Sequence, residues 1–396
     1  MVRSMSAELQ LAIVCCRYPR VPATQEAIRA ALGRPINWPA FETIVQRHRI
    51  AGLAASALCA DDLEIAIDVR RRLAEVARHF AKQDLIHAAE TTKLQQVFDQ
   101  AGIPCMFLKG VAVGVLAYGG LGVKQSWDID LLTTEARMTQ ALRLLELSGY
   151  RLVNPVGLPR RALPRFVRFH HEVELRNDNG ITVELHWRLF RRPVLTGITA
   201  TSETQIVRIG GCEVRTLRQD LLIAYLIAHG QEHGWGRLKW IADLNALLAQ
   251  GSASQLVALH ARASELGLES KASAAQLLCA RLFGLPLEKG FEAVLRQDRA
   301  AERLVEVNLN CLMDPLTAPD KPTLSRTGLA LMASRFDRRR GVRALFGELS
   351  AIWTQPAARS RYPAAFDFVY HLLRVPVWVL RLPVRLYELS RAKRAC

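Results

Sequence analysis

The chain lacks the usual marks of a secreted or membrane-spanning protein, and each absence narrows what its 396 residues can do. Its eight cysteines, Cys15, Cys16, Cys59, Cys105, Cys212, Cys279, Cys311 and Cys396, include no CxxC pair and sit mostly in apolar runs, as reduced, buried thiols do. No disulfide framework is expected, which points to the cytoplasm. The apolar stretch 9–16 is too short and too poorly flanked for a signal peptide, and no other run is long and uncharged enough to span a bilayer. Zinc-finger and RNP patterns are missing too, so the chain carries no dedicated nucleic-acid-binding module. What is present is a chain half apolar and 23% charged, enough to bury a large core in two or three domains and to exclude disorder.

Acid is the scarce charge: 37 Asp and Glu face 53 Lys and Arg, a net charge of +16. The surplus is uneven. Residues 335–396 hold 13 basic residues against 4 acids, including Arg338-Arg339-Arg340, and over 366–389 Arg374, Arg381 and Arg385 are interleaved with aromatic and aliphatic residues. Such a segment suits peripheral contact with an anionic membrane, the inner membrane for a cytoplasmic protein, or with a polyanion. The alternative is an amphipathic helical cap with solvated arginines.

Spacings of three and four between apolar residues predict helices over 26–32, 38–50, 51–58, 65–81 and 85–101. After Gly102-Ile103-Pro104, the short run 105–108 reads as a buried strand, 111–118 as a helix, 127–132 as a strand and 135–149 as a helix. Alternation over 171–176 and 181–187 around Asn177-Asp178-Asn179-Gly180 predicts a hairpin, and 206–209 with 212–217 around Gly210-Gly211 a second. Beyond, helices return, with Thr216 and Gln219 spaced as a capping box. The expected architecture is α+β: a helical N-terminal domain over 1–95, a small α/β core with a mixed sheet over 96–217, a helical domain over 218–334, and the basic segment 335–396.

Asp128 and Asp130, two apart on a strand, point their carboxylates to one face, where they repel unless a cation lies between them. Glu184 shares a face with His186 and completes a three-carboxylate cluster if its strand neighbours that of the aspartates. Such oxygen ligands suit Mg2+ or Mn2+ for phosphate chemistry. Lys109-Gly110, at a strand-to-helix turn, offers a compact cation, a backbone open to close approach and a helix N-terminus for a triphosphate. Arg237 and Lys239 are within reach of the same phosphates or lie solvated on the surface. A different chemistry is spelled by His229-Gly230-Gln231-Glu232-His233, which fits the H-x-x-E-H pattern of a zinc metalloprotease, with Glu302 or Glu306 as third ligand. Gly230 and Gly234 weaken the helix that this would need, and the other reading has both histidines lining the interface of helical domain and core, near a nucleotide. Arg160, Arg161, Arg165 and Arg168 with His170-His171 suggest a basic lip over an acceptor.

The order Leu108-Lys109-Gly110, Tyr118, Lys124, Asp128-Ile129-Asp130-Leu131-Leu132 and Val183-Glu184-Leu185-His186-Trp187 resembles the poorly characterised bacterial nucleotidyltransferase-like family of the polymerase-beta superfamily. His229-Gly230, His233-Gly234-Trp235, Arg237-Leu238-Lys239-Trp240 and Asp243-Leu244 resemble its helical-domain signature, so the likeness spans roughly 30–390. The resemblance implies transfer of a nucleoside monophosphate from a nucleoside triphosphate, ATP among the candidates, to an acceptor hydroxyl, with pyrophosphate released. It implies that Asp128, Asp130 and Glu184 hold the metal, with Glu184 as ligand or base, and that Lys109, Gly110, Lys124, Ser126, His186, His229, His233, Arg237 and Lys239 serve the nucleotide. The chain departs from the family at Lys124, where arginine is usual, and lacks the Gly-Ser turn of better-known relatives; lysine keeps the charge but not the bidentate fork. A small molecule, sugar or protein side chain is favoured over RNA as acceptor, and a degenerate, non-catalytic scaffold at the membrane surface is the alternative.

Overall fold

The computed structural model of the protein describes residues 5–59 and 63–314; the basic segment 335–396 and its proposed surface contacts lie outside the described residues. Five helices come first: α1 (Ala7–Cys15), α2 (Pro22–Leu32), α3 (Trp38–His48), α4 (Ala51–Leu58) and α5 (Ile67–Gln100). The two helices expected over 65–81 and 85–101 are one helix of 34 residues, about 50 Å long. Lys82-Gln83-Asp84 between them contains neither glycine nor proline, so nothing breaks the backbone. The later half of α5 buries Asp84, His87, Glu90, Leu94 and Phe98, which carries it from the helical core to the sheet.

The sheet contains β1 (Met106–Phe107), β2 (Ile129–Leu132), β3 (Tyr150–Asn154), β4 (Glu172–Asn177) and β5 (Thr182–His186), in the order β1-β2-β5-β4-β3. Between the strands run α6 (Val111–Tyr118), α7 (Met138–Leu147) and α8 (Leu163–Phe169). Only β2 and β5 pair in parallel; the other neighbours are antiparallel, so the sheet is mixed as expected. The β4–β5 turn closes as its residues predict, with Gly180 at φ 79° and the Asn177 side chain accepting from Ile181 N–H at 2.9 Å. β3 and α8 were not foreseen, because 150–170 alternates weakly and is interrupted by Pro155, Pro159 and Pro164. The second hairpin, β6 (Thr204–Ile209) and β7 (Cys212–Leu217), forms a separate two-stranded sheet around Gly210-Gly211.

The remaining helices are α9 (Gln219–Glu232), α10 (Leu238–Leu248), α11 (Ala253–Glu265), α12 (Glu269–Phe283), α13 (Lys289–Gln297) and α14 (Arg299–Met313). The expected capping box does not form. β7 continues through Thr216 to Leu217, and Arg218 takes the N-cap position of α9 without a side-chain cap. One core joins the helices before and after the sheet, from Leu11 and Phe41 to Tyr225, Leu244 and Leu309. A second packs α5, α7 and α8 on the sheet through Phe98, Leu142, Phe166, Leu175 and Leu185. His48 ties the two helical sets together: its Nδ1 accepts from Leu238 N–H at 3.1 Å. Burial, with Arg47 and Arg237 nearby, brings its imidazole down to about 3, so it stays the neutral acceptor that this bond requires.

Gly230 decides how α9 meets the turn behind it. A Cβ there would lie 2.3 Å from the ring of Trp235, which is 2% exposed. Gly230→Ala is therefore expected to cost about 1–3 kcal/mol by overpacking, read as a lower urea midpoint at unchanged slope.

Candidate active site

β2 and β5 run side by side with Asp130 opposite Glu184 and Leu132 opposite His186. β4 lies on the far side of β5, with Glu172 opposite His186 and Glu174 opposite Glu184. Because side chains alternate across a pleated sheet, Asp130, Glu184, His186 and Glu172 share one face, and Asp128, two residues before Asp130, precedes them on the same strand path. Apolar residues Val173, Leu175, Val183 and Leu185 occupy the other face and are packed in the core. The alternation anchors the strands and leaves the polar row toward the helices.

Within that row the charges are closely coupled. His186 Nε2 lies 3.4 Å from Asp130 Oδ1 and 3.5 Å from Glu184 Oε2, while its Nδ1 lies 3.3 Å from Glu172 Oε2. Lys109 Nζ, from the turn after β1, stands 2.8 Å from Asp130 Oδ1. Gly110 makes that turn with φ 62°, a left-handed conformation suited to glycine, and a Cβ there would meet the Asp128 carbonyl at 3.4 Å. The chain thus passes directly from Lys109 into the N-terminus of α6.

Burial by itself would raise the Asp130 carboxyl, but Lys109 and His186 outweigh it and hold the group well below the usual carboxylate range. Lys109 shows the reverse balance: burial opposes its charge, and Asp130, with smaller help from Tyr225 and Glu184, keeps it well above the ordinary lysine value. Burial also opposes charge on His186, yet Glu172, Asp130 and Glu184 raise it to about 10. Glu184 behaves differently. Burial pushes it up to about 7, with Asp130 and Asp128 adding to the rise against His186 and Lys109. Glu184 and Asp130, level on neighbouring strands, thus differ in how readily they hold a proton near neutral pH.

Asp130 and Glu184, with His186, lie close enough together for one cation, and the two carboxylates are oxygen donors of the kind Mg2+ or Mn2+ takes; Asp128 stands two residues before Asp130, outside that cluster. The ammonium of Lys109 against Asp130 is direct evidence that this corner of the site favours positive charge.

Other residues expected at the nucleotide divide into two groups. Lys124, 8% exposed, is ion-paired with Asp243 of α10, whose Oδ1 accepts from Tyr118 O–H at 2.8 Å. Ser126 donates to Asp84 of α5 at 2.9 Å, and the other Asp84 oxygen accepts from Gly122 N–H at 2.9 Å. These side chains fasten the 119–128 loop to the helices, and Asp84 and Asp243 are the partners that spacing gave no signal for.

His229 and His233 sit at the end of α9 with ring centres 4.7 Å apart, and Trp240 lies 5.6 Å from one and 5.0 Å from the other. Tyr225 stacks on His229 at 6.0 Å, and the Arg237 guanidinium lies over Trp240 at 5.5 Å. Burial, then Lys109 and His233, lower His229 well below the ordinary histidine value, so this aromatic shelf lies within the electrostatic reach of the carboxylate face. Half-buried Lys239 is brought to about 7 by burial and Lys124, with Asp128 opposing. Exposed Trp127, beside Asp128, carries the Arg49 guanidinium at 4.6 Å.

The zinc-protease alternative is not supported by this geometry. α9 ends at Glu232, His233 is its C-cap, and Glu302 is ion-paired with Arg296 at 3.1 Å. Among the described residues, the clusters able to hold a metal are His171-Glu172-His186 and Asp130-Glu184-His186, and neither includes His229 or His233. Two residues of the 160–171 basic group are held by neighbours. His170 stacks flat on Phe166 at 3.9 Å, and Arg160 pairs with Glu146. Glu172 is the site residue that sequence reasoning missed; its signal was its alternation with Glu174 opposite Glu184 and His186.

A mixed five-stranded sheet set amid helices, with Asp130 and Glu184 level on adjacent parallel strands, is the architecture of a nucleotidyltransferase-like α+β protein. A family model matches residues 34–284, and the chain belongs to that family, described as uncharacterised nucleotidyltransferase. A solved structure similar to it is an antigenic nucleotidyltransferase-like protein from Paracoccidioides brasiliensis, 18% identical, with 48% of this chain and 92% of that chain covered at a TM-score of 0.29. No curated protein matches the chain.

Proposed function

We propose that this protein is a divalent-cation-dependent nucleotidyltransferase that moves a nucleoside monophosphate from a nucleoside triphosphate such as ATP to an acceptor hydroxyl. The observation that carries this reading is the level pairing of Asp130 with Glu184 on β2 and β5, closed by Lys109. Asp128, Asp130 and Glu184 would hold Mg2+ or Mn2+, which supplies charge neutralisation at the phosphates. The acceptor oxygen forms a bond to the α-phosphorus, the bond from that phosphorus to the bridging oxygen breaks, and pyrophosphate leaves with the electron pair. Glu184 takes the hydroxyl proton. Gly110 and the start of α6 offer backbone N–H groups to the phosphates. The His229-His233-Trp240 shelf, with Arg237 and Lys239, flanks the nucleotide, and a small molecule, sugar or protein side chain is the acceptor class favoured over RNA.

The buried thiols Cys15, Cys16, Cys105 and Cys279 support a cytoplasmic setting, and among the described residues no helix is long and apolar enough to cross a membrane. Incubation with labelled nucleoside triphosphates, Mg2+ and cell extract, compared with Asp128→Ala/Asp130→Ala, tests the proposal. Label transferred by the wild type and lost in the variant is expected. Metal-dependent nucleotide binding without transfer to any component would favour the non-catalytic scaffold, and the absence of both binding and transfer would overturn the nucleotide site itself.

The position of Glu184 near neutrality gives a pH dependence. In the metal-free protein its folded value is raised from 4.5 to about 7, so it still carries a proton at mildly acidic pH, and a cation must displace that proton to use its oxygen. Mn2+ affinity is expected to rise up to about tenfold per pH unit below pH 7 and to flatten above it. Glu184→Gln should remove this segment of the profile, as read by Mn2+ titration across about pH 5–8.

A further inference from the structure

The same face carries a second set of donors with a different chemical character. His171 Nε2 lies 3.3 Å from Glu172 Oε2, and His186 Nδ1 lies 3.3 Å from that same oxygen. All three donor atoms fall within 4.8 Å of one another. A tetrahedral cation with bonds of 2.0–2.1 Å sets its donors about 3.3 Å apart, the bond length and geometry that zinc takes with imidazole nitrogen and carboxylate oxygen. Two imidazoles and a carboxylate are also the wrong donors for Mg2+, which demands oxygen. We infer that His171, Glu172 and His186 form a second cation site, selective for a borderline transition metal of the zinc class, distinct from the Asp128-Asp130-Glu184 group proposed for Mg2+ and going beyond the proposed transferase reaction.

Two further observations fit the assignment. A metal-bound histidine usually donates its other ring N–H to a carboxylate, which fixes the ring. His186, with Nδ1 toward Glu172, has its Nε2 3.4 Å from Asp130 Oδ1 and 3.5 Å from Glu184 Oε2, so two carboxylates stand close enough to become that outer partner after a small rotation of the ring. The site also has an entrance, because the side chains of His171 and Glu172 are 25% and 35% exposed whereas His186 is 4% exposed. A cation bound there would take the place of a proton on Nδ1 of His186 and leave Nε2–H beside the two carboxylates. Occupancy would thereby reach the first metal group through one imidazole ring.

The test is calorimetric titration of the full chain with Zn2+, followed by zinc X-ray absorption. One equivalent is expected to bind, with imidazole nitrogen scatterers from two histidines. Half-buried His171 and Glu172 can be changed with little risk to folding, and His171→Ala and Glu172→Gln should each weaken Zn2+ binding at least tenfold. Asp128→Asn should leave it within twofold. Zn2+ binding that follows Asp128→Asn and ignores His171→Ala would overturn the proposal, as would a wild type that binds Zn2+ no more tightly than His171→Ala. Nucleotide binding in Mg2+, measured on the same samples, reports on the transferase reading independently, so the failure of one does not pass for the failure of the other.

Discussion

Asp130→Asn is expected to abolish metal-dependent nucleotide binding and to destabilise the fold by about 3–5 kcal/mol. The Asp130 side chain is fully buried between the Lys109 ammonium and the His186 imidazolium. Neutralising it leaves two cations facing one another in a site from which water is largely excluded, and an uncompensated buried charge costs more than the pair contributed. Lys109→Met in the same background removes one of those cations and should recover part of the stability without restoring nucleotide binding. Urea unfolding and Mn2+-dependent nucleotide titration separate the two effects. A variant that still binds nucleotide in a metal-dependent way would remove Asp130 from the metal group.

The second large effect is expected at Lys124, away from the carboxylate face. Lys124 and Asp243 are an almost fully buried ion pair, with Tyr118 donating to the second Asp243 oxygen. Lys124→Met leaves the Asp243 carboxylate short of its cation, and Asp243→Asn leaves the ammonium without its anion; each should cost about 3–5 kcal/mol. The double variant Lys124→Met/Asp243→Asn buries no charge, and the asparagine oxygen keeps the Tyr118 hydrogen bond. It should therefore be more stable than the two single losses summed, with a coupling of up to about 3 kcal/mol. Lys124→Met that unfolds like the wild type while losing nucleotide affinity would instead assign Lys124 to a phosphate.

The contrast between these two residues shows what was legible. Asp128 and Asp130, alternating on a short strand, announce a paired-carboxylate face from spacing alone, and Glu184 and His186 announce a second. Whether those faces meet depends on β2 and β5 becoming parallel neighbours although β3 and β4 intervene in the chain. The family resemblance implies that Lys124 and Ser126 serve the nucleotide. Their partners, Asp243 and Asp84, come from helices more than a hundred and about forty residues away in sequence, and turn them into anchors of the loop. Proline-interrupted 150–170 hid β3 and α8, and a continuous run of helix formers joined two expected helices in α5.

Local chemistry determined the hairpin turns, the Lys109-Gly110 bend, the α+β class and the carboxylate pairs, since each depends on backbone preference or on period-two and period-3.6 alternation within a few residues. Only the tertiary structure decided that Glu172 stands beside His186, that Lys124 pairs with Asp243, and that His186 lies among Asp130, Glu184 and Glu172. Those outcomes depend on strand order and on which buried charge finds which counter-charge. They are set by the requirement that ions removed from water be paired, and no local pattern encodes that.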